Sequence, residues 1–592
     1  MKHGFVFGEH ISTEKIRRRR YDDTPQSPLR MRGVLLLLVL IVTTSLLLFK
    51  LFSLQIIHGS DYRSLSDSNR IRTQTIHAPR GVIFDRTGTP LVFNIPGFRE
   101  VKKEKKTVHL TQEEALARIA KGDQTVEVDS FRQYPYKEAT SHILGYIGQI
   151  SEEELKSATF TDYGGNDWIG KNGIERQYEK LLRGTDGKQL IEVDALGHKV
   201  RSLGQTDPIP GEDITLSLDA KLQEASYQAA KAIKKGAVIV SKPDGEILAM
   251  VSKPSFDTNL FTLDQTYKPA SDAAYRSLQS VLQDTQSQPL LDRAIAGTYP
   301  PGSTFKLVTA ASGLENRVID ENFHVTDTGV LKVGEFSFAN WYYTEYGRTE
   351  SGDINVSRAI ARSNDIFFYK LAEKIGVDTL SETANKFGLG KQLGIDLGGE
   401  AAGVVPNKAW KQAVMQESWY LGDTYHYGIG QGYLLTTPLQ VNSWTQVIAN
   451  GGTLYQPRLL QAQSAKRKAQ NLLRDKTREL IRQGMIASCS RGGVAWPLFD
   501  FTVKNKELKI DGKNILPAAS QSAEFRTITI ACKTGTAQHG GEDTLPHAWI
   551  TLFAPAYDPE IVVTVLSESS GEGSNEAAPV AKKVLEEYFG RR

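Results

Sequence analysis

The feature that most restricts this chain is an uncharged apolar run near its start. The run extends from Gly33 to Phe49 and continues past Lys50 through Leu54. A helix of that length, at about 1.5 Å per residue, spans roughly 30 Å, which matches the hydrocarbon core of a membrane. The sequence therefore predicts one transmembrane helix over residues 33–54, and no second apolar run of that length follows.

Positive charge precedes this run. Residues 1–32 contain eight Lys or Arg against four acidic residues, so this tail carries +4 and the remainder −1 of the formal net charge of +3. Such an excess holds the tail in the cytoplasm and places everything after about residue 57 outside it. A cleaved signal peptide is the competing interpretation, but no small-x-small cleavage site follows the run cleanly. Because the positive excess lies in one short tail, we expect no nucleic-acid surface.

Cysteine and histidine usage limits the metal and redox chemistry. The 592 residues include only two cysteines, Cys489 and Cys532. Two are too few for a disulfide framework or a zinc cluster, so we expect two isolated core residues, with a single bond between them left open for an oxidising compartment. The eleven histidines form no ligand-spaced cluster. We therefore predict no metal and no cofactor.

The segment Tyr299-Pro-Pro-Gly-Ser-Thr-Phe-Lys306 reads as a turn that leads into a helix. Lys306 follows Ser303 by one helical turn, so a hydroxyl and an amine share one face. A serine becomes a good nucleophile when a base takes its proton, and a lysine can be that base if its pKa is lowered. An isolated match of this kind is more often an N-cap serine with a surface lysine.

Two later motifs reverse that judgement. Ser363-Asn364-Asp365 precedes an apolar segment, and Lys533-Thr534-Gly535-Thr536 follows the strand-like run 527–530. In this order and spacing the three motifs resemble the Ser-x-x-Lys, Ser-x-Asn and Lys-Thr-Gly set of penicillin-binding proteins and serine β-lactamases. The resemblance implies acyl transfer through a serine ester.

The resemblance also implies a role for each motif residue. Ser303 is the nucleophile, Lys306 its base, Ser363 a proton relay, and Lys533 a neighbouring cation; Asp365 stands where the family commonly has asparagine and is typical of elongation-type members. This carboxylate would raise the pKa of Lys306, which opposes its use as a base. The residues assigned to substrate binding are Asn364, Thr534, Gly535 and Thr536, with the Thr536 N–H as second oxyanion donor beside that of Ser303.

Residues 55–211 resemble the non-catalytic pedestal of class B penicillin-binding proteins, with a head at about 96–132 that is shorter than usual for the family. They contain no convergent acid, base or metal set. A breaker cluster at Asp207 to Gly211 marks the boundary to a transpeptidase domain over 212–592.

The fold class expected for the whole chain is α+β. It consists of a transmembrane helix, a mainly-β pedestal and a penicilloyl-serine transferase domain, in which an antiparallel sheet carries flanking helices and a helical subdomain. Strands are predicted over 213–219, 236–240, 246–252, 527–532, 547–555 and 560–567, helices over 222–233, 307–314, 356–375, 438–450 and 577–588, and a loop over 271–288.

The resemblance implies a β-lactam-inhibited peptidoglycan D,D-transpeptidase in the bacterial cell membrane that cross-links stem peptides during elongation. Its expected partners are D-Ala-D-Ala donors, amine acceptors, a polytopic glycosyltransferase of the shape-and-division family and elongation-complex proteins. A division-type transpeptidase is one alternative, and a β-lactam sensor or scaffold is another. A β-lactamase or carboxypeptidase is disfavoured, because no Glu-x-x-Leu-Asn appears to position a deacylating water.

Overall fold

The structure is a computed structural model, and an apolar helix opens the part that it describes. The described residues are 28–101, 107–121, 123, 126–165, 167–194, 199–263, 267–504, 508–510, 513–515, 525–541 and 544–591. An 18-residue stretch within Met31–Ile57 has a mean hydropathy of 2.7, and none of that stretch is buried against protein. The predicted transmembrane helix is confirmed as one helix long and apolar enough to cross a membrane. Residues 1–27 of the predicted basic tail lie outside the described residues.

The described part of the chain contains both helices and strands. The helices are α1 Pro28–Phe52, α2 Gly59–Arg70, α3 Gln112–Ala120, α4 Ser141–Leu144, α5 Glu152–Leu155, α6 Gly173–Gln177, α7 Glu179–Leu182, α8 Ala220–Ala229, α9 Asn259–Thr262, α10 Leu278–Gln283, α11 Lys306–Glu315, α12 Trp341–Tyr346, α13 Val356–Arg362, α14 Asp365–Ile375, α15 Val377–Lys386, α16 Lys408–Met415, α17 Leu421–Gly428, α18 Pro438–Ala449, α19 Asp475–Ser488 and α20 Ala578–Gly590. The strands are β1 Ile71–Ile76, β2 Ile83–Phe84, β3 Pro90–Val101, β4 Thr107–Leu110, β5 Val126–Gln133, β6 Ile147–Gln149, β7 Trp168–Gly170, β8 Gly187–Val193, β9 Lys199–Thr206, β10 Ile214–Thr215, β11 Gly236–Ser241, β12 Ile247–Lys253, β13 Val325–Thr326, β14 Val330–Val333, β15 Phe336–Ala339, β16 Asp353–Ile354, β17 Leu454–Tyr455, β18 Arg467–Ala469, β19 Thr502–Lys504, β20 Leu508–Ile510, β21 Lys513–Ile515, β22 Phe525–Thr527, β23 Ala531–Ala537, β24 His547–Ala554 and β25 Ile561–Ser567.

The chain forms two compact units. The first takes the residues up to Gln74 together with Lys188–Gln205. It contains α1, α2 and a three-stranded sheet in the order β1-β8-β9, whose last strand is exposed along its whole length. Within it, Glu192 accepts from both Arg70 and Arg201.

The second unit takes Thr75–Gly187 and the rest of the chain from Thr206. Its first part is a sheet in the order β10-β2-β3-β4, with β5 also paired to β3. The carboxylate of Glu175 is wholly buried there and accepts from Arg80 Nη2 at 2.8 Å and Arg132 Nε at 2.7 Å. These ion pairs join three separate segments of the region 55–211, for which a pedestal is predicted.

The second part of this unit is built on a five-stranded antiparallel sheet in the order β12-β11-β25-β24-β23. Helices α8 and α20 pack on one face, through Leu222, Val584 and Leu585. Helix α18 packs on the other face and buries Trp444 completely. The predicted α+β class, with an antiparallel sheet and flanking helices, is confirmed.

The helical subdomain lies between β12 and β23 in sequence, as predicted. The helix expected over 356–375 is in fact two helices, α13 and α14, because Ser363 adopts a φ of +54° that ends the first. The loop expected over 271–288 contains the short helix α10, which a capping box at Ser277 begins. Strand β23 starts at Ala531, so Lys533 and Gly535 lie inside the strand and not beyond it.

The two cysteines are joined by a disulfide, with 5.9 Å between their Cα atoms. Cys489 is the C-cap of α19 and Cys532 lies in β23. The expectation of two isolated core residues is therefore wrong, because the end of α19 meets this strand.

Candidate active site

The turn that carries Ser303 rests on the edge strand of the sheet. Gly302–Phe305 form one turn of 3₁₀ helix, and α11 follows directly. Gly302 has a φ of +52°, and a Cβ built there would come within 3.0 Å of the Thr536 carbonyl oxygen. A side chain at this position would push the turn off the strand. Glycine thus allows Ser303 to lie beside β23.

Lys306 is the first residue of α11 and is fully buried. Its ammonium donates to Asp365 Oδ1 at 2.6 Å, to the Ser363 carbonyl oxygen at 2.8 Å and to Ser363 Oγ at 3.3 Å. These contacts use all three of its donors. The Ser303 hydroxyl, one turn earlier, is half-buried and forms no hydrogen bond with another described residue.

Ser363 joins the two amines. Its Oγ accepts from Lys533 Nζ at 2.9 Å in addition to Lys306 at 3.3 Å. The left-handed backbone at this residue is uncommon for a side chain other than glycine, and such strain clusters at functional sites. Here it turns the hydroxyl towards the sheet, so one oxygen bridges two lysines from distant parts of the chain.

Both amines have a lowered pKa. Burial lowers the pKa of Lys306, and the charge of Asp365 raises it only in part. Burial, together with the charge of Lys306, holds the pKa of Lys533 well below its usual range. Desolvation therefore outweighs the pKa-raising effect of Asp365 that was expected from the sequence. Lys306 can be neutral and accept a proton.

Strand β23 presents the remaining motif residues at the end of the sheet. It pairs with β24 alone among the described strands, so its other edge is free to pair with an extended peptide. Thr536 is exposed, whereas Thr534 is mostly covered. A Cβ built on Gly535 would lie 3.1 Å from both Pro301 O and Thr304 Cγ2, so this glycine lets the serine turn approach.

The side chain of Asn364, for which a substrate contact is predicted, lies inside the protein. Its side chain is 1 % exposed. Its Oδ1 accepts from the Phe367 N–H at 2.9 Å, which caps α14, and its Nδ2 donates to Asp327 Oδ2 at 3.0 Å. Both ends of the amide are occupied inside the protein, so Asn364 shapes the turn after Ser363 instead of facing a ligand.

Sequence reasoning missed three residues that fix the position of Asp365: Asp327, Asn340 and Trp341. The Trp341 N–H donates to Asp365 Oδ2 at 2.9 Å, and Asn340 Oδ1 accepts from the Asp365 N–H at 3.1 Å. Asp327 Oδ2 accepts from Asn340 at 2.9 Å as well as from Asn364. No motif marks these residues, since the segment is recognisable only as a turn. Together they fix the carboxylate that contacts Lys306.

No trio of His, Cys, Asp or Glu in the described part of the chain is arranged to hold a metal ion. The site is instead a nucleophile, two buried amines and a bridging hydroxyl beside a free strand edge, which is the equipment of serine acyl transfer.

Family models match two parts of the chain. Residues 235–586 match the penicillin binding protein transpeptidase domain, and residues 112–216 match the penicillin-binding protein dimerisation domain. The chain is 32% identical to the peptidoglycan D,D-transpeptidase MrdA of Acinetobacter baumannii, over 90% of this chain and 84% of that protein. It is also 32% identical to MrdA of Escherichia coli K12, over 93% of each.

Solved structures agree. Pseudomonas aeruginosa PBP2, in complex with WCK 5153, is 33% identical with a TM-score of 0.66, over 87% of this chain and 96% of that one. Helicobacter pylori PBP2, in complex with MreC, is 28% identical with a TM-score of 0.70, over 88% and 98%. With the family models, the relatives and the motif geometry in agreement, the chain belongs to the penicillin-binding protein transpeptidases, a family of serine-type peptidoglycan D,D-transpeptidases.

Proposed function

We propose that this chain cross-links peptidoglycan stem peptides through an ester on Ser303, with Lys306 as its base and Ser363 as proton relay. The observation that supports these roles best is the single Ser363 oxygen, 3.3 Å from Lys306 Nζ and 2.9 Å from Lys533 Nζ. A hydroxyl held between two amines of lowered pKa can pass a proton in either direction.

In the acylation step, Lys306 takes the proton of the Ser303 hydroxyl, and the oxygen attacks the carbonyl between two D-alanines. The resulting oxyanion is stabilised by the N–H groups of Ser303 and Thr536. Collapse breaks the amide bond, and the departing D-alanine amine receives a proton through Ser363. In the second step an acceptor amine attacks the ester, loses its proton along the same route and restores the Ser303 hydroxyl.

Asp365 orients the base in this scheme. Its carboxylate fixes Lys306 at 2.6 Å and is itself held by the Trp341 N–H at 2.9 Å. Burial keeps the pKa of the amine lowered in spite of this contact. The carboxylate thus supplies position, while desolvation supplies basicity.

The donor peptide lies along β23 in this proposal. The free edge of the strand pairs with its main chain, and the exposed Thr536, with Thr534 beside it, receives its terminal carboxylate. Lys533 is completely buried and donates to Ser363 Oγ at 2.9 Å, so in this proposal it acts on the substrate through Ser363.

We assign the chain to wall elongation, with a cytoplasmic N-terminus and an extracytoplasmic catalytic domain. Three observations support this assignment: its MrdA relatives, the one membrane-length apolar helix among the described residues and the aspartate at 365. The related solved structures include Helicobacter pylori PBP2 in complex with MreC and a peptidoglycan synthase complex that coordinates polymerization and crosslinking. We therefore propose a membrane glycosyltransferase and an MreC-type protein as partners. The proposed domain limits are 1–32 for the cytoplasmic tail, 33–54 for the transmembrane helix, 55–211 for the pedestal and 212–592 for the transpeptidase domain.

A fluorescent penicillin tests the chemistry on the full-length protein in detergent. We expect stable label on wild-type protein and none on Ser303→Ala, while Ser271→Ala, at an exposed serine elsewhere, labels normally. Transfer of a stem peptide to an added amine measures cross-linking. Rapid loss of label would indicate a hydrolase, and unlabelled wild-type protein would indicate a scaffold; either result refutes the proposal.

A further inference from the structure

The disulfide lies next to the catalytic strand motif. Cys532 immediately precedes Lys533 in β23 and is completely buried, and Cys489 is 5 % exposed at the end of α19. The bond therefore ties the strand that carries one catalytic amine to the C-terminal end of helix α19.

Helix α19 in turn supports the helix that ends at Ser363. The Ser357 hydroxyl of α13 donates to the Leu480 carbonyl oxygen of α19 at 2.8 Å. Gly484 of α19 lies so close to α13 that a Cβ built there would be 2.8 Å from Ile360 Cβ. The two helices thus form a close-packed pair, and displacement of one moves the other.

A second link is made by the segment that follows Cys489. The Arg362 side chain, one residue before Ser363, donates through Nη1 to the Gly492 carbonyl oxygen at 2.8 Å. Both sides of the 2.9 Å contact between Lys533 and Ser363 are therefore connected through this one covalent bond.

We propose that the Cys489–Cys532 disulfide is a positioning bond for the reaction, which sets Lys533 against Ser363, so that full acylation activity belongs to the oxidised protein. This inference rests on the roles given to Lys533 and Ser363 in the proposed function. The beginning of β23 is hydrogen-bonded to β24, and the disulfide joins it covalently to the end of α19. Misplacement of a catalytic group by about 1 Å typically costs ~100-fold in rate.

Formation of the bond requires an oxidant. Each thiol loses one proton and one electron, the two sulphur atoms join, and a disulfide oxidant such as oxidised glutathione takes up both electrons and both protons to become two thiols. An oxidising compartment outside the cytoplasm supplies such oxidants.

The test compares oxidised and reduced full-length protein in detergent. Since the chain has only two cysteines, a thiol titration reads the bond directly, with none free in the oxidised form and two in the reduced form. After removal of the reductant without air, the binding and acylation constants for a fluorescent penicillin are measured separately across pH. We expect the acylation constant to fall at least ~10-fold on reduction, with a changed pH profile, and to recover with oxidised glutathione.

The double variant Cys489→Ala with Cys532→Ala is the matched control. It should be slow from the outset and insensitive to reductant and oxidant. Near-UV circular dichroism reports the folded fraction in every sample. An equal acylation constant in oxidised and reduced protein, or a loss that only follows the folded fraction, would overturn the inference. Oxidised wild-type protein that fails to label would instead overturn the proposed function.

Discussion

Replacement of Ser363 by alanine and by glycine separates the chemistry of its hydroxyl from the strain of its backbone. Both variants lose the oxygen that contacts Lys306 at 3.3 Å and Lys533 at 2.9 Å. Loss of a positioned proton-transfer group costs about 10²- to 10⁴-fold in rate. At about 1.36 kcal/mol per factor of ten, this is roughly 2.7–5.5 kcal/mol of transition-state stabilisation.

The left-handed backbone at this position favours the glycine variant over the alanine variant. A left-handed conformation costs an L-residue roughly 1–2 kcal/mol, and glycine avoids this cost. Because Ser363 has a φ of +54°, Ser363→Gly should be more stable than Ser363→Ala by about 1 kcal/mol after the extra chain entropy of glycine is included. Gln416 has a φ of +60° outside the motifs, so Gln416→Ala shows what the conformation alone does to alanine.

The assay is the second-order rate of acylation by a fluorescent penicillin at fixed pH, with urea unfolding in parallel. We expect an equal, large loss of rate in both Ser363 variants, although their stabilities differ. A rate for Ser363→Ala within about threefold of wild type would refute the relay. Rates that followed stability would show that the turn matters and the hydroxyl does not.

Three further changes test other parts of the site and its support. Asp365→Asn removes the charge that raises the pKa of Lys306, so this pKa should fall further. Because acylation needs the neutral amine, its rate increases as the pH rises through this pKa, and the acid limb of the pH–rate profile should therefore move to lower pH. Gly535→Ala places a methyl 3.1 Å from the serine turn, so it should lower the unfolding free energy by about 1–3 kcal/mol and slow acylation. Gly541→Ala, with open space around it, should change neither quantity, and a Gly535→Ala protein with unchanged stability and rate would contradict the close packing of the turn on β23. Glu175→Gln leaves the buried Arg132 guanidinium without its carboxylate partner, whereas Arg80 keeps its ion pair with Glu179 at 2.8 Å. The substitution should lower the unfolding free energy by about 3–5 kcal/mol, with acylation by the folded protein unaltered, and a loss under about 1 kcal/mol in urea titration would contradict this.

The sequence predicted those parts of the molecule in which local pattern and chemistry coincide. The apolar run, strands β11 and β12, and the three motifs each have a signal within a few residues. The end of the helix at Ser363 had none, because its conformation is imposed by Asn364, which caps the next helix and contacts Asp327.

Contacts between distant segments were beyond such reasoning. The pairing of Cys489 with Cys532, 43 residues apart, depends on where a helix end meets a strand. The end of β23 was misplaced for a related reason, since its ladder with β24 continues through Ala537 and overrides the turn propensity of Gly535.

The position of β23 at the border of its sheet has a consequence for substrate choice. A ligand held by main-chain pairing is recognised by its backbone, and its side chains then point alternately to the two faces of the sheet. Such an enzyme can accept stem peptides of varied composition as long as they end in the same two residues. A β-lactam such as penicillin meets the same requirement, because its bicyclic ring system is about as long as that terminal dipeptide.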